Sequence, residues 1–268
     1  MATFSAKVKE RIATGIKKFQ PVLTRAKAAD INESDTVTII ADMLSDVFGY
    51  DKYSEITSEF AIKKTFCDLA LKVDDRVCLL IECKAVGLGL KDDYIKQATD
   101  YAANAGVDWV VLTNGILWKV YKISFSKPID KELVYEFDFF ELSAKKQTDL
   151  EMIFYLCRES LGKSTKGLEE LHLQKQILNK FVITQLLMTD YVADSVRKLF
   201  KKLSPEIKVT NDEINAIITN DILKREVVEG DQSVDAKKRV QKMLKAEAAS
   251  QEAKKQSRAE KAQQTSDE

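Results

Sequence analysis

Two strand-like runs separated by three polar residues constrain this chain more than anything else in it: Phe60 to Val73, then Asp74-Asp75-Arg76, then Val77 to Lys84. Runs of that length closing on a short polar turn predict an antiparallel hairpin. Pairing Val73 with Val77 across the turn brings Asp68 opposite Glu82, and directly opposed residues have Cβ atoms about 5 Å apart. Strand alternation puts Lys84 on that same face, whereas Cys83 turns to the other side with Ile81 and Leu79, so its side chain reads as core. Two facing carboxylates in apolar surroundings repel each other and resist ionisation unless a cation sits between them. An all-oxygen pair suits a hard ion such as Mg²⁺ or Mn²⁺. Such an ion can polarise a phosphodiester and lower the pKa of a bound water, with Lys84 orienting that water or stabilising transition-state charge. On spacing alone, the commoner reading is an ordinary interstrand Lys/Glu ion pair on an exposed sheet face.

The flanking segments alternate between helical and strand periodicity. Val8, Ile12, Ile16, Phe19 and Val22 share one helix face, and Pro21 is expected to stop or kink that helix. A second helix opens on Asn32 as N-cap, with Glu33 and Asp35 in its first turn, and carries Ile39, Ile40, Met43, Leu44, Val47 and Phe48 before Gly49 ends it. After the hairpin, Tyr94, Ile95, Ala98, Tyr101 and Ala102 predict a helix over 91–105. Val107 to Thr113 reads as a buried strand, Asn114-Gly115 as a tight turn, and Ile116 to Ile123 and Leu133 to Phe140 as further strands.

Beyond about residue 144 only helical spacing appears, through Leu150, Ile153, Phe154 and Cys157, then from Leu171 to Leu203 until Pro205. Thr210 with Glu213 forms a capping box for one more helix. From about 235 the chain is mostly Ala, Lys, Glu, Gln and Arg, without the apolar stripe that docks a helix onto a core, and reads as a solvated helix or disorder. The expected organisation is a domain over 1–143, a helical region over 144–234 and a polar tail over 235–268.

Composition closes off other classes. With 45% hydrophobic and 31% charged residues and only 9 Gly and 3 Pro in 268, the chain is that of a helix-rich globular protein. No apolar run approaches the ~20 residues that span a bilayer, and the N-terminus lacks a signal-peptide core, so the expectation is cytoplasmic, with no membrane partner. Cys67, Cys78, Cys83 and Cys157 form no CxxC pair and read as reduced core residues. His172 is the only histidine, which leaves no material for histidine relays or clusters. Gly162-Lys163-Ser164-Thr165 imitates the end of a phosphate loop, but Cys157 stands where the first glycine belongs. The net charge is zero, so no global basic field advertises nucleic acid.

Asp68, the run Leu79-Leu80-Ile81-Glu82-Cys83-Lys84-Ala85 and Gln97-Ala98-Thr99-Asp100-Tyr101, in that order on hairpin and helix, resemble the Asp, Glu-x-Lys and Gln-x3-Tyr elements of the N-terminal PD-(D/E)XK nuclease domain of type I restriction enzyme R subunits. Asn32-Glu33, Thr57 to Ile62 and Trp109 to Gly115 extend the resemblance over about residues 30 to 125. It implies a restriction-endonuclease-like α/β fold, a mixed sheet flanked by helices, followed here by an all-helical C-terminal region. It implies a Mg²⁺- or Mn²⁺-dependent endonuclease acting on DNA, with Asp68 and Glu82 as metal ligands, the Cys83 backbone carbonyl as a further oxygen, and Lys84 as catalytic lysine. By the same resemblance Glu33 reaches the metal, and Gln97 and Tyr101 support catalysis. Glu33 also reads as an acid chosen for the helix dipole, Tyr101 as a core aromatic, and Lys91 and Lys96 as a solvated face.

R subunits of that family continue into an ATP-driven translocase for which 268 residues leave no room. The expectation is a stand-alone nuclease in restriction-modification or phage defence, its C-terminal helices available to a protein partner or a second copy. The alternative is a catalytically inactive module of the same fold that binds nucleic acid or protein.

Overall fold

The computed structural model describes residues 4–62, 65–91, 93–125, 128–162 and 167–246. The chain divides into two compact units, Met1–Leu173 and Gln174–Glu268. In the first, β1 (Ile56–Ile62), β2 (Thr65–Val73), β3 (Arg76–Cys83), β4 (Trp109–Thr113), β5 (Leu117–Ser124) and β6 (Asp130–Asp138) form one sheet in sequence order. All neighbours are antiparallel except β3 and β4, which are parallel and joined through α3 (Tyr94–Ala105).

Strand alternation sorts the side chains into two cores. Trp109 and Val111 of β4 join Leu69, Leu71, Leu79 and Ile81 beneath α1 (Ala6–Ala28), α2 (Glu33–Asp46) and α4 (Gln147–Phe154). Val110 and Leu112 face the opposite way, packing with Ala70 and Leu80 against Ile95, Ala98 and Ala102 of α3. At roughly 1.5–3 kcal/mol for each fully buried large apolar side chain, these two faces supply the drive that closes the sheet between its helices. The result is the α/β architecture that the sequence predicts.

Four details depart from expectation. The run from Phe60 to Val73 is not one strand: β1 pairs antiparallel with β2, Ile62 opposite Thr65, and the sequence carries Lys63-Lys64 there in place of a Gly or Pro signal. At the next turn Val73 pairs with Arg76, not Val77, because Asp74 and Asp75 sit at φ 52° and 63° in a two-residue reversal matched to strand twist. That register alone would set Glu82 opposite Cys67. Cys78 instead bulges out of β3, and beyond it Leu71 pairs with Leu79 and Leu69 with Ile81, so the next step along both strands is Asp68 and Glu82.

The third departure is α1, which does not stop at Pro21 but runs to Ala28. Pro21 and Lys17 are both exposed, so the carbonyl left without its helical donor faces water, while buried Leu23 and Ala26 hold the following turns. The fourth lies in the second unit, where residues 231–246 form a helix, here α11, whose Ala236, Val240 and Leu244 do make a narrow stripe against Val182. Three apolar residues four apart suffice there, and the surrounding lysines masked them in the sequence.

The remaining helices among the described residues are α5 (Arg158–Leu161) and α6 (Gly167–Ile177), in which the division between units falls, then α7 (Lys180–Leu187), α8 (Asp190–Leu203), α9 (Asn211–Ile217), which continues as a π-helical turn over Ile218–Ile222, and α10 (Arg225–Val228). Leu150, Ile153, Leu156 and Cys157 pack into the core of the first unit. In the second, Thr210 and Glu213 form the expected capping box at α9, and Asn179 caps α7 by accepting from Phe181 and Val182. No helix among the described residues is long and apolar enough to cross a membrane.

Candidate functional site

The exit of β3 is fixed from both sides before any charged group is considered. The Lys84 backbone N–H donates to Thr113 O at 2.9 Å, tying it to the end of β4. The Val86 N–H donates to Thr36 Oγ1 at 3.1 Å, and that hydroxyl donates to Asn32 O at 2.8 Å, tying it to the start of α2. Asn114 closes the third side: its Nδ2 donates to Leu88 O at 2.8 Å while its Oδ1 accepts from Ile116 and Leu117. Gly115 takes φ +84° in the turn so formed, where an added Cβ would stand 3.0 Å from Leu23.

On this braced backbone Glu82 is only 4% exposed. Lys84 Nζ lies 2.8 Å from Glu82 Oε1 and 3.6 Å from Glu33 Oε2, with the Tyr94 ring centroid 5.7 Å away. Asp68 Oδ2 accepts the Cys83 backbone N–H at 2.7 Å, reaching the strand one residue past Glu82. Burial pushes the Glu82 carboxyl up, Lys84 pulls it back, and Asp68 adds to the rise, leaving it above the ordinary carboxylate value. For Lys84 burial acts downward, but the bond to Glu82 and the fields of Glu82, Glu33 and Asp68 outweigh it and hold the ammonium above its ordinary value. The site is a cluster of three acids partly neutralised by its own lysine.

Of the residues singled out in sequence, Glu33, Glu82 and Lys84 meet directly, and Asp68 joins them through the Cys83 backbone. The Cys83 side chain is fully buried in the first core, its thiol pushed well above the ordinary value by burial, so only its backbone is open to a ligand role. Tyr101 is buried in the second core with α3 and the sheet. Gln97 belongs to α3, but its side chain lies outside the described residues, as do Lys163, Ser164 and Thr165. His172 is accounted for at the far edge of the sheet, 2.8 Å from Glu132 and edge-on to Trp109.

Glu33, Asp68 and Glu82 offer oxygen donors alone, the chemistry that a hard divalent cation takes. Two of those three acids are already directed at Lys84, and among the described residues no group of three or more His, Cys, Asp or Glu side chains is set to hold a metal ion. The donor set therefore fits such a cation in kind, through Asp68 and Glu82, provided that it shares Glu82 with Lys84.

Sequence reasoning missed three contributors. Tyr94 registered only as an apolar helix position, Thr36 not at all, and Asn114 only as half of a turn dipeptide. The signal for Thr36 was its place one helical turn after the Asn32 cap, where a hydroxyl can bond back to the cap carbonyl.

Residues 34–134 match the family model for the type I restriction enzyme R protein N terminus. The matched segment contains Asp68, Glu82, Lys84, Gln97 and Tyr101 and begins one residue after Glu33. No curated protein and no solved structure matches the chain.

Proposed function

We propose, from the match of residues 34–134 to the restriction enzyme R protein N terminus, that this chain is a metal-dependent deoxyribonuclease whose reacting centre is Asp68, Glu82 and Lys84. The observation that carries the reading is Glu82: a nearly buried carboxylate, its pKa raised, at a strand end braced from three sides and in contact with one lysine. A carboxyl shifted by burial and set beside a specific charged partner is the signature of a functional-site candidate.

Asp68 and Glu82 would hold Mg²⁺ or Mn²⁺, with the Cys83 carbonyl as a further oxygen. Bound there, the ion supplies Lewis-acid polarisation of a phosphodiester and a more acidic water. The chain's own part is to position and to balance charge. Lys84 keeps its proton in the field of Glu82 and Glu33, so it donates hydrogen bonds to an attacking water or a phosphate oxygen and does not act as a base. Glu33, at 3.6 Å, steadies the ammonium.

The test is cleavage of supercoiled plasmid DNA with Mg²⁺ by the wild-type chain, Asp68→Ala and Lys84→Ala. Nicking by the wild type that drops at least a hundredfold in both variants is the expected result. Cleavage surviving both substitutions overturns the assignment.

One observation favours a second reading, a nuclease-fold module that binds without cutting: Lys84 already pairs with both Glu82 and Glu33, in the place a metal ion would take. Calorimetry with Mn²⁺ separates the two. The catalytic reading requires binding that disappears in Glu82→Ala, and the inactive module shows none in either protein.

A further inference from the structure

α8 is acidic at its start, with Asp190 and Asp194, and basic at its end, with Arg197, Lys198, Lys201 and Lys202. Basic residues in a last turn suit the helix dipole and need no other reason. The loop that follows breaks that account. It folds back through Pro205 so that Lys208 lines, with Arg197, Lys198, Lys201 and Phe200, one groove of 560 Å³. Arg197 is paired with Asp194 at 2.7 Å, but among the described residues no ion pair forms at Lys198, Lys201 or Lys208. All three are exposed, and Glu206 of the same loop lies outside the groove's lining.

The groove walls are held in place. The Ser204 N–H donates to Phe200 O at 2.8 Å, finishing α8, and Thr210 starts α9 with its capping box immediately after the loop. Val209 and Val196 pack onto the cluster of Ala193, Ile214 and Ile218 beneath. Three cations and an exposed aromatic ring therefore stand on a fixed concave surface, not on a mobile tail.

We propose that this groove binds a single strand of nucleic acid, with phosphates against Lys198, Lys201 and Lys208 and a base against Phe200. The alternation of point charges with an aromatic face and the apolar flanks of Pro205 and Ile207 matches the alternation of phosphate and base along a strand. A bilayer presents a broad, flat surface that does not enter a concave groove, whereas an extended strand does. The choice of nucleic acid over other polyanions rests on the proposed nuclease reading, whereas the groove itself lies outside the segment that matches the restriction enzyme family.

Fluorescence anisotropy of a labelled mixed-sequence oligodeoxynucleotide, titrated with the full chain in EDTA, tests this without cleavage. The groove variant Lys198→Glu/Lys201→Glu/Lys208→Glu should bind more than tenfold more weakly. Its dependence of log affinity on log salt should flatten by about 2, since each single-strand phosphate contact contributes about 0.7. Phe200→Ala should weaken binding about tenfold with the salt dependence intact, as loss of one stacked base does. The control Lys237→Glu/Arg239→Glu/Lys242→Glu, reversing exposed charges on α11, should bind as wild type does. Equal losses in control and groove variant overturn the proposal, and so does binding to phosphatidylserine vesicles without binding to the oligonucleotide. A chain that binds through the groove but leaves plasmid DNA intact with Mg²⁺ fails the nuclease reading alone.

Discussion

Lys84 and Glu82 are a coupled pair: Nζ and Oε1 lie 2.8 Å apart, and the two side chains keep 15% and 6% of their surface exposed. Removing the lysine leaves a buried carboxylate unpaired, whereas removing both charges leaves no buried charge to desolvate. Lys84→Met should therefore cost about 2–3 kcal/mol of stability, a little under the usual ~3–5 for breaking a buried pair because the lysine is not fully enclosed. Lys84→Met/Glu82→Gln should cost at least about 1 kcal/mol less than the sum of the single losses. Urea unfolding of the four proteins measures this, and additive losses would mean that the pair is not coupled.

The course of β2 and β3 illustrates what a sequence makes legible. The approach of Asp68 to Glu82 follows from counting residues around a turn, but the count places the extra residue in the loop, and the structure places it at Cys78 inside the strand. Nothing in a single cysteine among apolar neighbours distinguishes a bulge from a regular position. Strand periodicity correctly sends Cys83 to the core and Lys84 to the site. The bond from Thr36 to the Val86 N–H joins residues 50 apart in the chain, and no local pattern encodes such a contact. The same holds for Tyr101, which shares a helix with Gln97 yet is buried in the second core. Helical spacing gives a shared face without saying what that face meets.

Gly49 takes φ +87°, and a Cβ added there would stand 2.5 Å from the Arg11 guanidinium carbon. That guanidinium cannot retreat cheaply, because it donates to Val47 O at 3.0 Å and to Glu159 at 2.7 and 2.8 Å. Gly106 takes φ +67° at the end of α3 with no atom within 4 Å of an added Cβ. Backbone strain is common to both sites and the clash is not. Gly106→Ala should cost about 1 kcal/mol, and Gly49→Ala about 2–3 kcal/mol. Thermal unfolding of the two variants should show the larger drop in Tm for Gly49→Ala, and equal drops would mean that Arg11 yields.

The same Arg11 gives the first unit a pH-dependent tie between α1 and α5. Burial pushes the Glu159 carboxyl up, but the paired bonds from Arg11, its own backbone N–H and the field of Arg158 outweigh burial and hold it below the ordinary 4.5. A carboxyl depressed in the folded state binds its proton more readily when unfolded, so its stabilisation is complete above the unfolded value and is lost as pH falls through the folded one. Glu159 keeps 38% of its side chain exposed, so solvent screening limits the effect to about 1 kcal/mol. Comparing urea unfolding of the wild type and Glu159→Gln from about pH 7 down to about pH 3 subtracts the other titrating groups. The wild type's advantage should be constant at neutral pH, shrink once pH drops below about 4.5 and vanish at the acid end. An advantage that persisted unchanged into acid would show that the tie is a matter of packing, with no ionised carboxylate in it.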